Sequence, residues 1–331
     1  MTAPKIKHKK TLIIIAVILL FVLSVISGYF IVLKIGEKRL RDKLSYTDDT
    51  LLSGEAYGDE ADAYYGGKEY YYNQDLINIL CIGVDKNNSS DTSGHQADAI
   101  YLVSADVKNK KTNIIAISRN TLTDIDIYDM NGEFLASDYK QICLSYAFGS
   151  DDKESSLLTQ KAVSRLLYNV QINGYYTIFI DSIGEIVDSV GGVTVTVPDD
   201  MTKANSKWKK GAKVKITGEN AAKYLIYRQD NSDVRLKRQK QFVSSFISSA
   251  KSAVKKDLTL PLDMYNKLAK NTVTDVNAAS AVYLASEIIK TEFEVLSLPG
   301  KVGFDGTYET FEVNETELYE MVLDVFYKTE K

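Results

Sequence analysis

Histidine is nearly absent from the 331 residues: His8 and His95 are the only two. A His-based zinc cluster and a Ser-His-Asp triad both need imidazoles the chain does not supply. Cysteine is equally scarce. Cys81 and Cys143 sit in apolar runs, which reads as two buried thiols, with one disulfide as the alternative. The G-x-x-x-x-G-K-S/T phosphate loop and the G-x-S-x-G elbow are both missing. Positive charge is not in excess: 40 Lys and Arg stand against 44 Asp and Glu, a net charge of −4. A general nucleic-acid binder is usually basic, so no nucleic-acid partner is expected.

Charge of either sign is absent from residues 11–33, a run of 23. As a helix this run is about 34 Å long, enough for a hydrocarbon core of about 30 Å. No A-x-A cleavage site follows it, so it reads as an uncleaved transmembrane signal anchor. Residues 1–10 carry Lys5, Lys7, Lys9 and Lys10 and no acid, and are expected as a cytoplasmic tail with the bulk of the chain outside the cell membrane, an orientation that charge alone does not fix. Lys34, Lys38, Arg39, Arg41 and Lys43 flank the other end, so the count of positive charges does not by itself separate the two sides. Residues 34–75 read as a stalk and an acidic, tyrosine-rich linker. The six tyrosines between Tyr57 and Tyr72 suit either a spacer or a glycan contact. Residues 76–331 form the extracellular domain, with a core at 76–250 and a C-terminal extension at 251–331.

Residues 76–120 organise that domain. Residues 76–84 (LINILCIGV), 99–106 (AIYLVSAD) and 112–118 (TNIIAIS) read as three strands, the last two joined by a short polar turn into a hairpin. If the first strand is their antiparallel neighbour, Asp85, Asp98 and Arg119 gather at one end of the sheet. Two carboxylates and a guanidinium there suit a divalent cation and an anionic oxygen cluster such as phosphate. Residues 121–140 read as a polar loop. Helices are expected over 157–168, 182–190, 218–227, 263–270, 278–290 and 315–327, with strands over 175–180, 193–197 and 294–298. Strands interleaved with helices give a mixed α+β class: a central, mostly antiparallel or mixed sheet with flanking helices.

Residues 234–250 carry the best physical argument. Phe242, Phe246, Ile247 and Ala250 form an apolar stripe, and its backward extension meets Arg235, Arg238 and Gln239. Arginines in the first turns of a helix oppose its dipole, at about 0.3–1 kcal/mol each when exposed. The arrangement makes sense with an anion bound there, since helix N-termini and guanidinium forks both suit phosphate. The alternative is that an acid such as Asp230 or Asp233 pairs with the arginines.

These residues resemble the LytR-CpsA-Psr family of bacterial cell-envelope proteins. The likeness lies in Asp85 of IGVD, Asp98 of QADAI, Arg119-Asn120, then SYAFG at 145–149, VGGV at 190–193 and RLKRQ at 235–239. It implies a phosphotransferase that moves a polyprenyl-pyrophosphate-linked glycopolymer onto peptidoglycan, assisted by Mg²⁺. It further implies that Asp85 and Asp98 hold the metal, and that Arg119, Arg228, Arg235, Arg238 and Gln239 contact the pyrophosphate, with Arg119, Arg228 and Arg238 acting in catalysis. The chain departs from the family pattern at Gln96 and Ile226, where arginine is usual, at Asn120, where aspartate is usual, and at Gln141, where lysine is usual. Either the substrate differs or activity is weak or lost, which leaves a lipid-carrier-binding regulator of the envelope as the alternative.

Overall fold

The computed structural model describes residues 29–42, 61–86, 95–129, 131–227 and 232–329. Residues 11–28 of the expected membrane span lie outside that set. Among the described residues no helix is long and apolar enough to cross a membrane. Residues 29–41 form helix α1. Far from standing free as a stalk, α1 is docked: Leu40 is 1% exposed in a cluster with Ile77, Ile79, Tyr283 and Leu284.

The segment read as a spacer also differs. Ala63–Tyr65 (β1) and Lys68–Tyr72 (β2) pair as an antiparallel hairpin, turning at Gly66 and Gly67, both with positive φ. The tyrosines sit at strand positions where aromatic side chains pack well. Their partner is 255 residues away, which is why the local pattern looked unstructured.

The central sheet begins with Leu76–Val84 (β3), Ala97–Asp106 (β4) and Lys111–Ile117 (β5), consecutive antiparallel neighbours as expected. Even-numbered Leu76, Leu80 and Ile82 of β3 enter one core while Ile77 and Ile79 enter the other. A strand buried on both faces reads as a nearly continuous apolar run. Residues 121–140, expected as a loop, form a hairpin of Leu122–Tyr128 (β6) and Phe134–Gln141 (β7). Asp124 and Asp126 alternate with Ile125 and Ile127, a period of two that their charge disguised. A 3-10 turn over Ile142–Phe148 leads to helix α2, Asp152–Leu166, capped by Asp151.

Gly174–Phe179 (β8) runs parallel to β3. A second layer then stands beside the sheet. It comprises Ile183–Ser189 (α3), the antiparallel pair Val193–Thr196 (β9) and Lys213–Ile216 (β10), and helices Gly218–Ile226 (α4) and Ser232–Lys256 (α5). Their own core centres on Trp208, Tyr224 and Phe242. Helix α6, Leu260–Leu268, precedes Thr272–Thr274 (β11), which pairs with β8. Helix α7, Ala278–Ile288, leads to Glu292–Ser297 (β12), parallel to β5. The sheet order is thus β11-β8-β3-β4-β5-β12, a mixed sheet in an α+β fold. The C-terminal extension supplies both of its edge strands. Hairpin Gly300–Phe304 (β13) and Glu309–Val313 (β14), helix Glu315–Phe326 (α8) and Tyr327–Lys328 (β15) complete the chain. Strand β15 pairs with β2, so the two ends of the domain share a small sheet.

One glycine is required by packing. A Cβ on Gly36 of α1 would meet the Ala279 carbonyl oxygen of α7 at 2.3 Å. Only glycine lets the two helices approach this closely.

Candidate functional site

The expected clustering at one sheet end follows from the strand register. Gly83 opposes Ala99 and Val84 opposes Ala97, so Asp98 is the extra residue of a β-bulge. Bulges re-aim a side chain and end strand pairing. Ile100 opposes Ile117, and continuing that register by two residues sets Asp98 opposite Arg119. The guanidinium of Arg119 grips both neighbours: NH1 donates to Asp98 Oδ1 and NH2 to Gln96 Oε1. Arg119 NH2 also lies 3.5 Å from Cys143 Sγ. Its backbone is fixed from below, since the Cys143 amide donates to the Arg119 carbonyl at 3.1 Å.

Helix α5 covers this end. Arg235 and Gln239, one turn apart, line a narrow cleft with Asp98, Tyr101, Ser118 and Arg119. The cleft has a volume of about 10 Å³, room for roughly one water. Arg235 also opposes the rise in the Tyr101 hydroxyl pKa that burial causes. Lys240 Nζ reaches Ser297 Oγ at 2.7 Å, which holds α5 along β12.

The cationic start of α5 therefore divides. Arg235 and Gln239 face the cleft. Arg238, one turn before Phe242, faces the second core and is 1% exposed. Its NH1 lies 3.2 Å from Asp199 Oδ2, its NH2 donates to the Tyr227 carbonyl, and its guanidinium stands 5.9 Å from the Tyr224 ring. Burial lowers its pKa and Asp199 opposes that shift. The acid that meets Arg238 is thus Asp199. Asp230 and Arg228 lie outside the described residues, as does the side chain of Asp233. Ile226, at an expected arginine position, is exposed.

Asp85 is exposed just past β3. The next residue anchors that strand end: Lys86 Nζ lies 2.8 Å from both oxygens of Asp152 at the start of α2, and Tyr146 Oη donates to Asp152 at 3.0 Å. Among the described residues no group of three or more His, Cys, Asp or Glu is arranged for a metal ion. Asp85 and Asp98 lie at the bulge at this end, and Mg²⁺ is an ion that binds through one or two carboxylates plus waters and substrate phosphates.

Cys143 is a free buried thiol, as its apolar run suggested; burial pushes its pKa up against the opposing effect of Arg119, and its contact with Gln96 Oε1 at 3.7 Å was not foreseen. Cys81 is also free, and burial raises its thiol to about 12. No disulfide joins them. Finally, Asn120 and Gln141 are neighbours. Gln141 Nε2 lies 3.5 Å from Asn120 Oδ1 and donates to the Glu309 carbonyl at 2.7 Å, while Asn120 Nδ2 reaches Glu309 Oε1 at 3.4 Å. Each departure was visible in the sequence; their contact, and Glu309, were not.

The class defined here is an α+β domain whose sheet end gathers arginine and aspartate beneath the arginine-bearing start of a helix. The chain belongs to the LytR_cpsA_psr family, whose model matches residues 50–324. Biofilm regulatory protein A of Streptococcus mutans is 26% identical over 65% of this chain and 53% of that protein. Bacillus subtilis TagV, named a polyisoprenyl-teichoic acid–peptidoglycan teichoic acid transferase, is 26% identical over 73% of this chain and 62% of that protein. The chain thus spans little more than half to about three-fifths of these relatives. The crystal structure of B. subtilis TagV shares the fold, with a TM-score of 0.58, 22% identity and coverage of 76% of this chain and 96% of that one. A structure of TagT bound to LIIa-WTA gives 0.58, 21%, 76% and 89%.

Proposed function

We propose that this chain is a membrane-anchored phosphotransferase that attaches a polyprenyl-pyrophosphate-linked glycopolymer to peptidoglycan. The observation that carries this reading is the convergence of Arg119, Arg235 and Gln239 on one cleft beside Asp98. Guanidinium groups beside a helix start bind and orient phosphate oxygens. Family membership and relatives named as teichoic acid transferases support the substrate class.

In the proposed reaction a sugar hydroxyl of the wall attacks the phosphorus bonded to the polymer. The bond from that phosphorus to the bridging oxygen breaks, and polyprenyl phosphate leaves with the electron pair. Arg119, Arg235 and Arg228 hold the oxygens on which charge grows. Asn120 is neutral and accepts no proton, so the hydroxyl proton passes to a carboxylate outside the pair that would hold Mg²⁺; Glu309 stands 3.4 Å from Asn120. Asp85 and Asp98 would hold Mg²⁺, which supplies charge neutralisation when bound. Residues 11–33 would anchor the enzyme, with the N-terminus cytoplasmic.

A second reading has its own support. Arg119 is held by Asp98 and Gln96 within the cleft. A site closed in this way suits a regulator that binds the lipid carrier without turnover. The test incubates the full chain, in detergent, with lipid-linked polymer, peptidoglycan and Mg²⁺, and measures polyprenyl phosphate release. Release that stops with EDTA and in Arg119→Gln supports the transferase. Carrier binding without release supports the regulator, and neither would sink both. Protease added to intact protoplasts should digest everything past about residue 40 if the orientation is right.

A further inference from the structure

A larger cleft lies at the opposite end of the sheet from Arg119. It is formed where the β4–β5 turn meets β2, β15 and the last turns of α8, and its volume is about 820 Å³. Strand β5 separates the two clefts: its seven residues make six steps of about 3.3 Å, about 20 Å in all. Tyr65, Tyr70 and Tyr327 line it, alongside Lys68, Asn109 and Asp324.

We infer that this cleft binds an uncharged glycan chain, at a site separate from the phosphate cleft. Its volume is in the range of small-ligand sites, and its openness to solvent along the small sheet suits a chain. Tyrosine presents an apolar face with a polar tip, which matches the C–H face and hydroxyl rim of a pyranose. The polar groups carry both signs and both hydrogen-bonding senses: lysine and asparagine donate, and carboxylate and amide oxygens accept. Several of the charges are neutralised by neighbours. Lys108 and Lys328 both reach Asp75 Oδ2, at 3.4 and 3.1 Å, and Tyr65 Oη donates to Glu320 at 2.8 Å. Such a surface has no run of one sign to select a polyanion, whereas a neutral polyhydroxyl chain can meet both donors and acceptors. The tyrosines that look like a linker in the sequence thereby gain a role. The choice of an amino-sugar probe rests on the proposed function; the site itself does not.

The test is calorimetric titration of the full chain, in detergent, with tetra-N-acetylchitotetraose and separately with tri-galacturonate. The neutral oligomer should bind with an affinity that changes little between low and high salt. Tyr70→Ala should weaken it about tenfold, the scale of one aromatic contact. Asp324→Asn, isosteric and at an exposed position, should weaken it severalfold at unchanged Tm, and carries the decision if Tyr70→Ala fails to fold. Arg119→Gln should bind the oligomer as wild type does, even where it abolishes phosphate release. Absence of binding at millimolar oligomer, wild-type affinity in the folded variants, or binding of tri-galacturonate alone would each overturn the inference. Loss of phosphate chemistry with glycan binding intact would instead sink only the transferase reading.

Discussion

Arg238 NH1 and Asp199 Oδ2 stand 3.2 Å apart inside the second core, with Arg238 1% exposed. A residue that in the sequence belongs to a phosphate-binding series is thereby tied to an acid 39 positions earlier. Removing one member of a buried pair strands the other. Arg238→Gln should therefore lose about 3 kcal/mol of folding stability, at the low end for such pairs because Asp199 is 17% exposed. Urea unfolding of wild type and variant decides it. An unchanged midpoint would return Arg238 to the phosphate site.

Arg119 makes a different demand. Its planar fork serves Asp98 with one nitrogen and Gln96 with the other. Lysine keeps the charge but not the fork. Arg119→Lys should retain the fold and reduce polyprenyl phosphate release by about 100-fold, the scale of losing one donor to developing charge. Release within threefold of wild type would show that point charge alone suffices.

The amide pair Asn120 and Gln141 is open to a double-mutant cycle. Asn120→Asp alone places a carboxylate beside Glu309, and Gln141→Lys alone places a cation in the same cluster. Together they place an aspartate and a lysine, the residues the family resemblance implies there, within reach of each other. The coupling energy should be favourable by about 0.5–1 kcal/mol, the range of partly exposed ion pairs. Additive losses would mean the two departures arose independently.

Asp126 gives the fold a pH dependence. Burial raises its pKa, but Ser137, Arg165 and Lys161 together lower it below the usual carboxylate range. The contacts are 2.6, 2.5 and 2.9 Å. Because the folded value lies below the unfolded one of about 3.9, the ionised group stabilises the fold above that pH. The stabilisation fades as pH falls through the folded value. Asp126→Asn should cost about 1.5–3 kcal/mol at pH 7 and progressively less below pH 4. Tm measured from pH 3 to pH 7 checks both halves; a loss independent of pH would point to packing alone.

Much of the sheet was legible because both of its faces are buried. The strand over residues 76–84 ends at the same residues in sequence and structure, and the turn after Asp106 joins an antiparallel pair. The gathering of Asp98 and Arg119 followed from that register. Charge hid what remained. Hairpin β6–β7 alternates aspartate with isoleucine, and Asp126 is buried because arginine and lysine from α2 meet it. Strands β1 and β2 depend on β15, and no local pattern announces a partner so distant. Arg238 shows the limit of periodicity: a helical stripe says which residues share a face, but not whether that face meets a cleft or a core.

The docking of α1 sets a mechanical constraint. Gly36 lets its backbone lie against α7, Ser280 Oγ donates to the Gly36 carbonyl at 3.1 Å, and Leu40 is plugged between β3 and α7. A globular head on a slack tether explores every orientation, but one clamped along its leading helix does not. The axis of α1 at Tyr29 is thus fixed relative to the Arg119 cleft, and any torque on that helix is delivered to β3 and α7.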